Sequence, residues 1–138
     1  AISIMTIMFG MGMVAYRNVA SKQSLDQTTS GVIQTLAQAQ ANALSGKKIN
    51  CASEILAGWQ VRFAAGNYAL EEACLVTNYV VKTINYPVQI SGTLPSPNPI
   101  LFRVLSRGTN ISVSTTITLN NSQSLTKSIT VSNTGEIK

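Results

Sequence analysis

Histidine is absent from the 138 residues, and acidic residues number only five against ten lysines and arginines, a formal charge of +5. Without histidine there is no Ser-His or Cys-His pair to activate a nucleophile. A serine would have to rely on lysine, and no lysine sits in a recognisable motif. Glu71 and Glu72 are adjacent, so on a strand their side chains leave opposite faces and make a poor acid/base dyad. Neither Gly66 nor Gly108 belongs to a phosphate-cradling loop. These absences point away from an enzyme, from any cofactor or metal, and from a small-molecule substrate.

Charge is scarce altogether, at 11% of the chain, while serine, threonine, asparagine and glutamine are abundant. That surface suits an extracellular setting better than a cytosolic enzyme. The two cysteines, Cys51 and Cys74, could be inert core residues, but nothing else resembles a metal set, which favours a disulfide. The bridge would close a loop of about two dozen residues, worth roughly 3 kcal/mol, and implies an oxidising compartment. The length fits one domain plus an anchor, with a core large enough to fold without metal.

No charge occurs before Arg17, and no proline before Pro87. Residues 1–16, AISIMTIMFGMGMVAY, are apolar on every side of a helix: Ile2, Ile4, Met5, Ile7, Met8, Phe9, Met11, Met13 and Val14 leave no polar face. Lipid or other protein must cover them. About 16 residues at 1.5 Å each reach about 24 Å, short of the roughly 30 Å hydrocarbon core. Methionines adapt to irregular surfaces, and Gly10 and Gly12 allow close approach of another helix. The run therefore reads as a clipped membrane anchor or as a helix that packs against copies of itself.

Residues 17–46 continue the helix with a different character. Leu25, Val32, Leu36, Ala39 and Ala43 form one stripe, flanked by Ile33, Ala37 and Leu44, while Lys22, Gln23, Gln27, Gln34, Gln38 and Asn42 lie opposite. One flank faces water and the other a sheet. Gly46, followed by Lys47 and Lys48, is the expected stop.

Residues 47–138 read as a globular antiparallel β domain. Trp59, Val61 and Phe63 alternate with Gln60 and Arg62, and a turn at Ala64–Asn67 makes a hairpin as far as Cys74. Leu75 to Tyr86 is rich in β-branched residues, with its facing undecided. All four prolines fall between Pro87 and Pro99, which makes that segment a loop available for contacts. Ile100, Phe102 and Val104 resume alternation. Ile111, Val113, Thr115, Ile117 and Leu119 form the clearest strand, and Leu125, Ile129 and Val131 return it in a meander with one hydroxyl-rich face. Asn110-Ile111-Ser112 and Asn120-Asn121-Ser122 match the glycosylation triplet but read as ordinary turn residues. For nucleic acid, the candidate contacts are Lys47, Lys48, Arg103, Arg107, Lys127 and Lys138, with Tyr68, Tyr79 and Tyr86 as stacking partners; scattered solvated charge is the simpler reading.

A long N-terminal helix, apolar then amphipathic, feeding an antiparallel sheet resembles the type IV pilin superfamily, including pilin-like proteins related to the H-type pseudopilin of type II secretion. The matching pieces are Tyr16-Arg17-Asn18, Leu25-Asp26-Gln27, the helix end from Leu36 to Gly46, and the closing stretch from Ile129 to Ile137. The resemblance implies an α+β fold in which the helix packs on the sheet domain. It also implies a structural subunit held in the inner membrane before assembly, then built with copies of itself into an extracellular helical filament. Ile2 to Val14 would pack in the filament core, and Arg17, Lys22 and Asp26 would contact adjacent helices. A minor pilin or pseudopilin that initiates or caps the filament, and a DNA-binding pilin, are the alternatives. The departure is at the start. Such proteins open with phenylalanine and carry an early glutamate, whereas the first acid here is Asp26. Restoring about eight to ten residues would bring the apolar run to membrane-spanning size.

Overall fold

The stripe expected from spacing is the seam of the fold. Leu25, Val32, Leu36, Ala39 and Ala43 are all buried along the helix α1 (Ile2–Ser45), and Lys22, Gln23, Gln27, Gln34 and Gln38 are exposed opposite them. The structure is a computed structural model that describes the backbone of residues 2–106 and 108–138, and the side chains of residues 20, 22–105 and 108–138. Ile33 packs against the core, whereas Ala37 and Leu44 are exposed and lie off the seam. Gly46 ends the helix at a φ of +66°, where its N–H donates to the Ala43 carbonyl and the Lys47 N–H to the Asn42 carbonyl. That paired closure satisfies two of the last carbonyls and requires the left-handed conformation that glycine adopts at little cost.

Two antiparallel sheets receive the helix. The first has the order β3-β2-β1-β5, built from β1 (Leu56–Phe63), β2 (Asn67–Cys74), β3 (Asn78–Asn85) and β5 (Ile100–Arg103). The second has the order β4-β6-β7, from β4 (Ser91–Gly92), β6 (Thr115–Asn120) and β7 (Thr126–Val131). The β1–β2 hairpin closes where the Ala64 N–H donates to the Asn67 carbonyl. Trp59 pairs with Phe102 and Val61 with Ile100 across β1 and β5, and all four side chains are buried in the core. Gly58 is obligatory here, because a Cβ would run into the Phe102 backbone carbonyl.

The structure corrects several expectations. The final strands form a separate sheet. The strand expected from Ile111 begins only at Thr115, and Val113 is exposed, because residues 111–114 cross from one sheet to the other and are paired with no strand there. Leu125 is partly exposed in the turn before β7. Gln60, expected to face water, is buried. The proline segment is pinned as well as exposed: Pro95 is buried, and the Asn98 amide accepts from the Phe63 N–H and donates to the Phe63 carbonyl.

Two sheet edges are closed by the chain itself. Arg103 and Asn110 N–H groups donate to Gly108 and Leu101 carbonyls along β5, and Thr130 exchanges both backbone bonds with Lys138 along β7. The strand β3 is exposed over nearly its whole length, with a register irregularity opposite Leu70/Glu71 and a lysine, Lys82, at the same place. Bulges and lysines are the usual protection of an edge strand.

Candidate functional site

The most elaborately built region lies where the helix ends and the first sheet begins. Cys51 and Cys74 are joined by a disulfide, with their Cα atoms 5.6 Å apart. Glu72, two residues before Cys74 on β2, is fully buried. Its carboxylate accepts the backbone N–H groups of Ile49 at 2.8 Å, Asn50 at 2.6 Å and Cys51 at 3.3 Å. A buried charge is tolerable when its lone pairs are satisfied, and here three successive donors converge on it. The Trp59 indole N–H donates to the Lys47 carbonyl, which ties the helix exit to β1. On the other side of the crossing, Glu54 accepts from the N–H groups of Val76 and Thr77 and from the Thr77 hydroxyl. Disulfide and carboxylates thus clamp residues 47–56 onto the end of the β1–β2 hairpin.

Glu71 points the opposite way from Glu72, as their adjacency on a strand requires. It is buried, accepts from the Gln60 amide at 2.6 Å, and pairs with the Arg62 guanidinium at 3.2 Å. Both of its oxygens thus accept from neighbouring side chains. Sequence reasoning missed both roles. The available signal was two carboxylates inside a strand that is otherwise mostly apolar, where burial obliges each to find donors.

Residues expected at a polyanion interface are dispersed. Lys47 and Lys48 are exposed beyond the helix end, and the Lys48 ammonium donates to the Glu54 carbonyl. Arg103 is exposed at the end of β5, opposite Gly58. Lys127 pairs with Asp26 at 3.5 Å, and Lys138 with Glu136 at 3.6 Å. Asp26 therefore reaches its own sheet. Arg107 lies outside the described residues, as do the side chains of Arg17 and of Ile2, Ile4, Met5, Ile7, Met8, Phe9, Met11, Met13 and Val14.

Two of the tyrosines expected as stacking partners, Tyr68 and Tyr86, serve the core. Tyr68 and Tyr86 pack with ring centroids 5.5 Å apart, and Phe63 adjoins Tyr68. Burial, and after it the neighbouring Tyr68, pushes the Tyr86 phenol up to about 12. Burial also raises Tyr68, partly offset by a side-chain hydrogen bond with Thr35 on the helix. Tyr79, on β3, is partly exposed.

A cleft of about 200 Å³ opens between the helix end and β5, lined by Gln40, Leu44, Phe102, Arg103, Thr109 and Thr134 among others. It is smaller than the roughly 300–1,000 Å³ of ordinary ligand pockets. Among the described residues there is no group of three or more histidine, cysteine or carboxylate side chains placed to hold a metal ion, and no helix long and apolar enough to cross a membrane.

The architecture is an N-terminal helix packed on antiparallel sheets and stapled by one disulfide. Compared with protein families, with curated proteins and with solved structures, the chain matches none.

Proposed function

We propose that this protein is a structural subunit of an extracellular type IV pilus or pilus-like filament, held in the inner membrane before assembly and built from copies of itself. One observation carries the reading. The helix is 44 residues long, about 66 Å at its usual rise, and among its described side chains the buried seam runs from Leu25 to Ala43, about 27 Å. Within those 27 Å a single face meets the sheets and the opposite face is polar. The preceding stretch from Ile2 to Val14 is apolar in every direction by sequence, so it calls for a covering other than this narrow seam. Equivalent helices in a fibre provide one. Removing that surface from water contributes roughly 25 cal/mol per Å², while transfer out of lipid relies on close packing, which Gly10 and Gly12 permit.

Electron microscopy of the native assembly tests this directly. Ile7→Asp with Met11→Asp abolishes filaments and leaves the sheet domain folded. Filaments that survive both changes refute the proposal. Filament abundance separates a builder from a minor pilin or pseudopilin that initiates or caps.

A DNA-capturing pilin is the second reading. The five carboxylates are committed within the chain, to Lys127, Arg62, Lys138 and backbone donors, and among the described residues Lys22, Lys47, Lys82 and Arg103 are exposed cations. Its affinity must fall steeply with salt. Binding that is absent, or indifferent to salt, eliminates it.

A further inference from the structure

Ile55, Leu75 and Val76 are about two-thirds or more exposed, at 68%, 67% and 84%. Single exposed aliphatics are ordinary on a protein surface, but these belong to one place. The Leu75 N–H donates to the Ile55 carbonyl at 2.9 Å. Val76 follows Leu75, and its N–H is bound by the carboxylate of Glu54, the residue before Ile55.

We infer that Ile55, Leu75 and Val76 form a preorganised contact surface for a second copy of this chain inside the fibre; this rests on the filament reading above. The first argument is rigidity. The disulfide and two of the five carboxylates of the chain hold the two segments that display these side chains. A surface already ordered loses little conformational freedom on docking. The polar groups of its frame are bound within the frame, so the aliphatic side chains can be covered without stranding a carboxylate.

The second argument is area, and it selects the occupant. Three aliphatic side chains at these exposures make a patch of about a few hundred Å², the size of functional patches on monomers. A free-standing specific complex buries about 800 Å² on each partner. The patch therefore does not retain a partner by itself. It suits a neighbour already held by another contact, and under the filament reading residues 1–16 hold copies of this chain in that way. Lys48, whose ammonium donates to the Glu54 carbonyl, supplies part of the polar rim that such contacts carry.

Hydroxyl-radical footprinting of the full chain, in filaments and as detergent-dispersed subunits, tests the inference residue by residue by mass spectrometry. Oxidation of Ile55, Leu75 and Val76 falls severalfold on assembly, while Val113, equally exposed in the subunit but distant in the fold, keeps its reactivity. Leu75→Asp with Val76→Asp shortens or eliminates filaments without lowering the melting temperature of the dispersed chain, and Val113→Asp does neither. Filaments that form while the three residues label as in dispersed subunits overturn the inference and leave the filament reading standing. A wild-type chain that forms no filament removes both.

Discussion

Glu72→Gln is the most informative single change, because it alters one atom of the clamp and no volume. The carboxylate accepts two short bonds, from Ile49 at 2.8 Å and Asn50 at 2.6 Å, and one long bond from Cys51 at 3.3 Å. An amide keeps one acceptor and turns the other position into a donor that faces a donor. Hydrogen bonds to a charged group contribute about 1.5–3 kcal/mol each, so the two short ones set a ceiling near 6 kcal/mol. Ile49 and Asn50 are exposed residues, and water replaces part of what is lost there. Ile49 and the buried Cys51 share one oxygen and Asn50 takes the other, so the amide oxygen of glutamine serves either that pair or Asn50, and the bonds it keeps lose the help of the charge. The expected net loss is about 3 kcal/mol, a large share of the roughly 5–15 kcal/mol that holds a domain together. Urea unfolding of the full chain in mild detergent reads the loss, and trypsin reads its location, since cleavage after Lys47 and Lys48 accelerates when residues 49–51 are released. Glu71→Gln is the comparison. Its partner Arg62 is nearly half exposed, so that change costs about 1 kcal/mol and leaves trypsin cleavage at Lys47 and Lys48 unchanged. A Glu72→Gln chain that unfolds and is cleaved like the wild type refutes the clamp.

Gly58→Ala places a Cβ against the Phe102 carbonyl, and separation of β1 from β5 appears as a loss of several degrees in melting temperature. Breaking the bridge through Cys51→Ser and Cys74→Ser together lowers stability by about 3 kcal/mol in denaturant unfolding, from the loop entropy of its 23-residue separation. The Tyr86 phenol titrates near 12 because the fold favours its neutral form. Its contribution to stability is therefore whole below the ordinary value of 10.0 and is lost as pH rises toward about 12. Ultraviolet titration detects this late-ionising phenol, and Tyr86→Phe removes it.

The buried face of the helix, its glycine stop, the β1–β2 hairpin and the disulfide pairing were all legible in the sequence. Each depends on near neighbours: a stripe at helical spacing, a residue permissive of positive φ, alternation on both sides of a short turn, or the presence of only two cysteines. Tertiary structure alone decided that the strands divide into two sheets, that Gln60 is buried against Glu71, and that Glu72 binds residues 49–51. It also brought Ile55 beside Leu75 and Val76. Periodicity reports which side of an element is apolar. It does not report which distant segment satisfies a buried carboxylate or leaves an aliphatic uncovered, because those outcomes depend on partners some twenty residues away that meet only once the chain has folded.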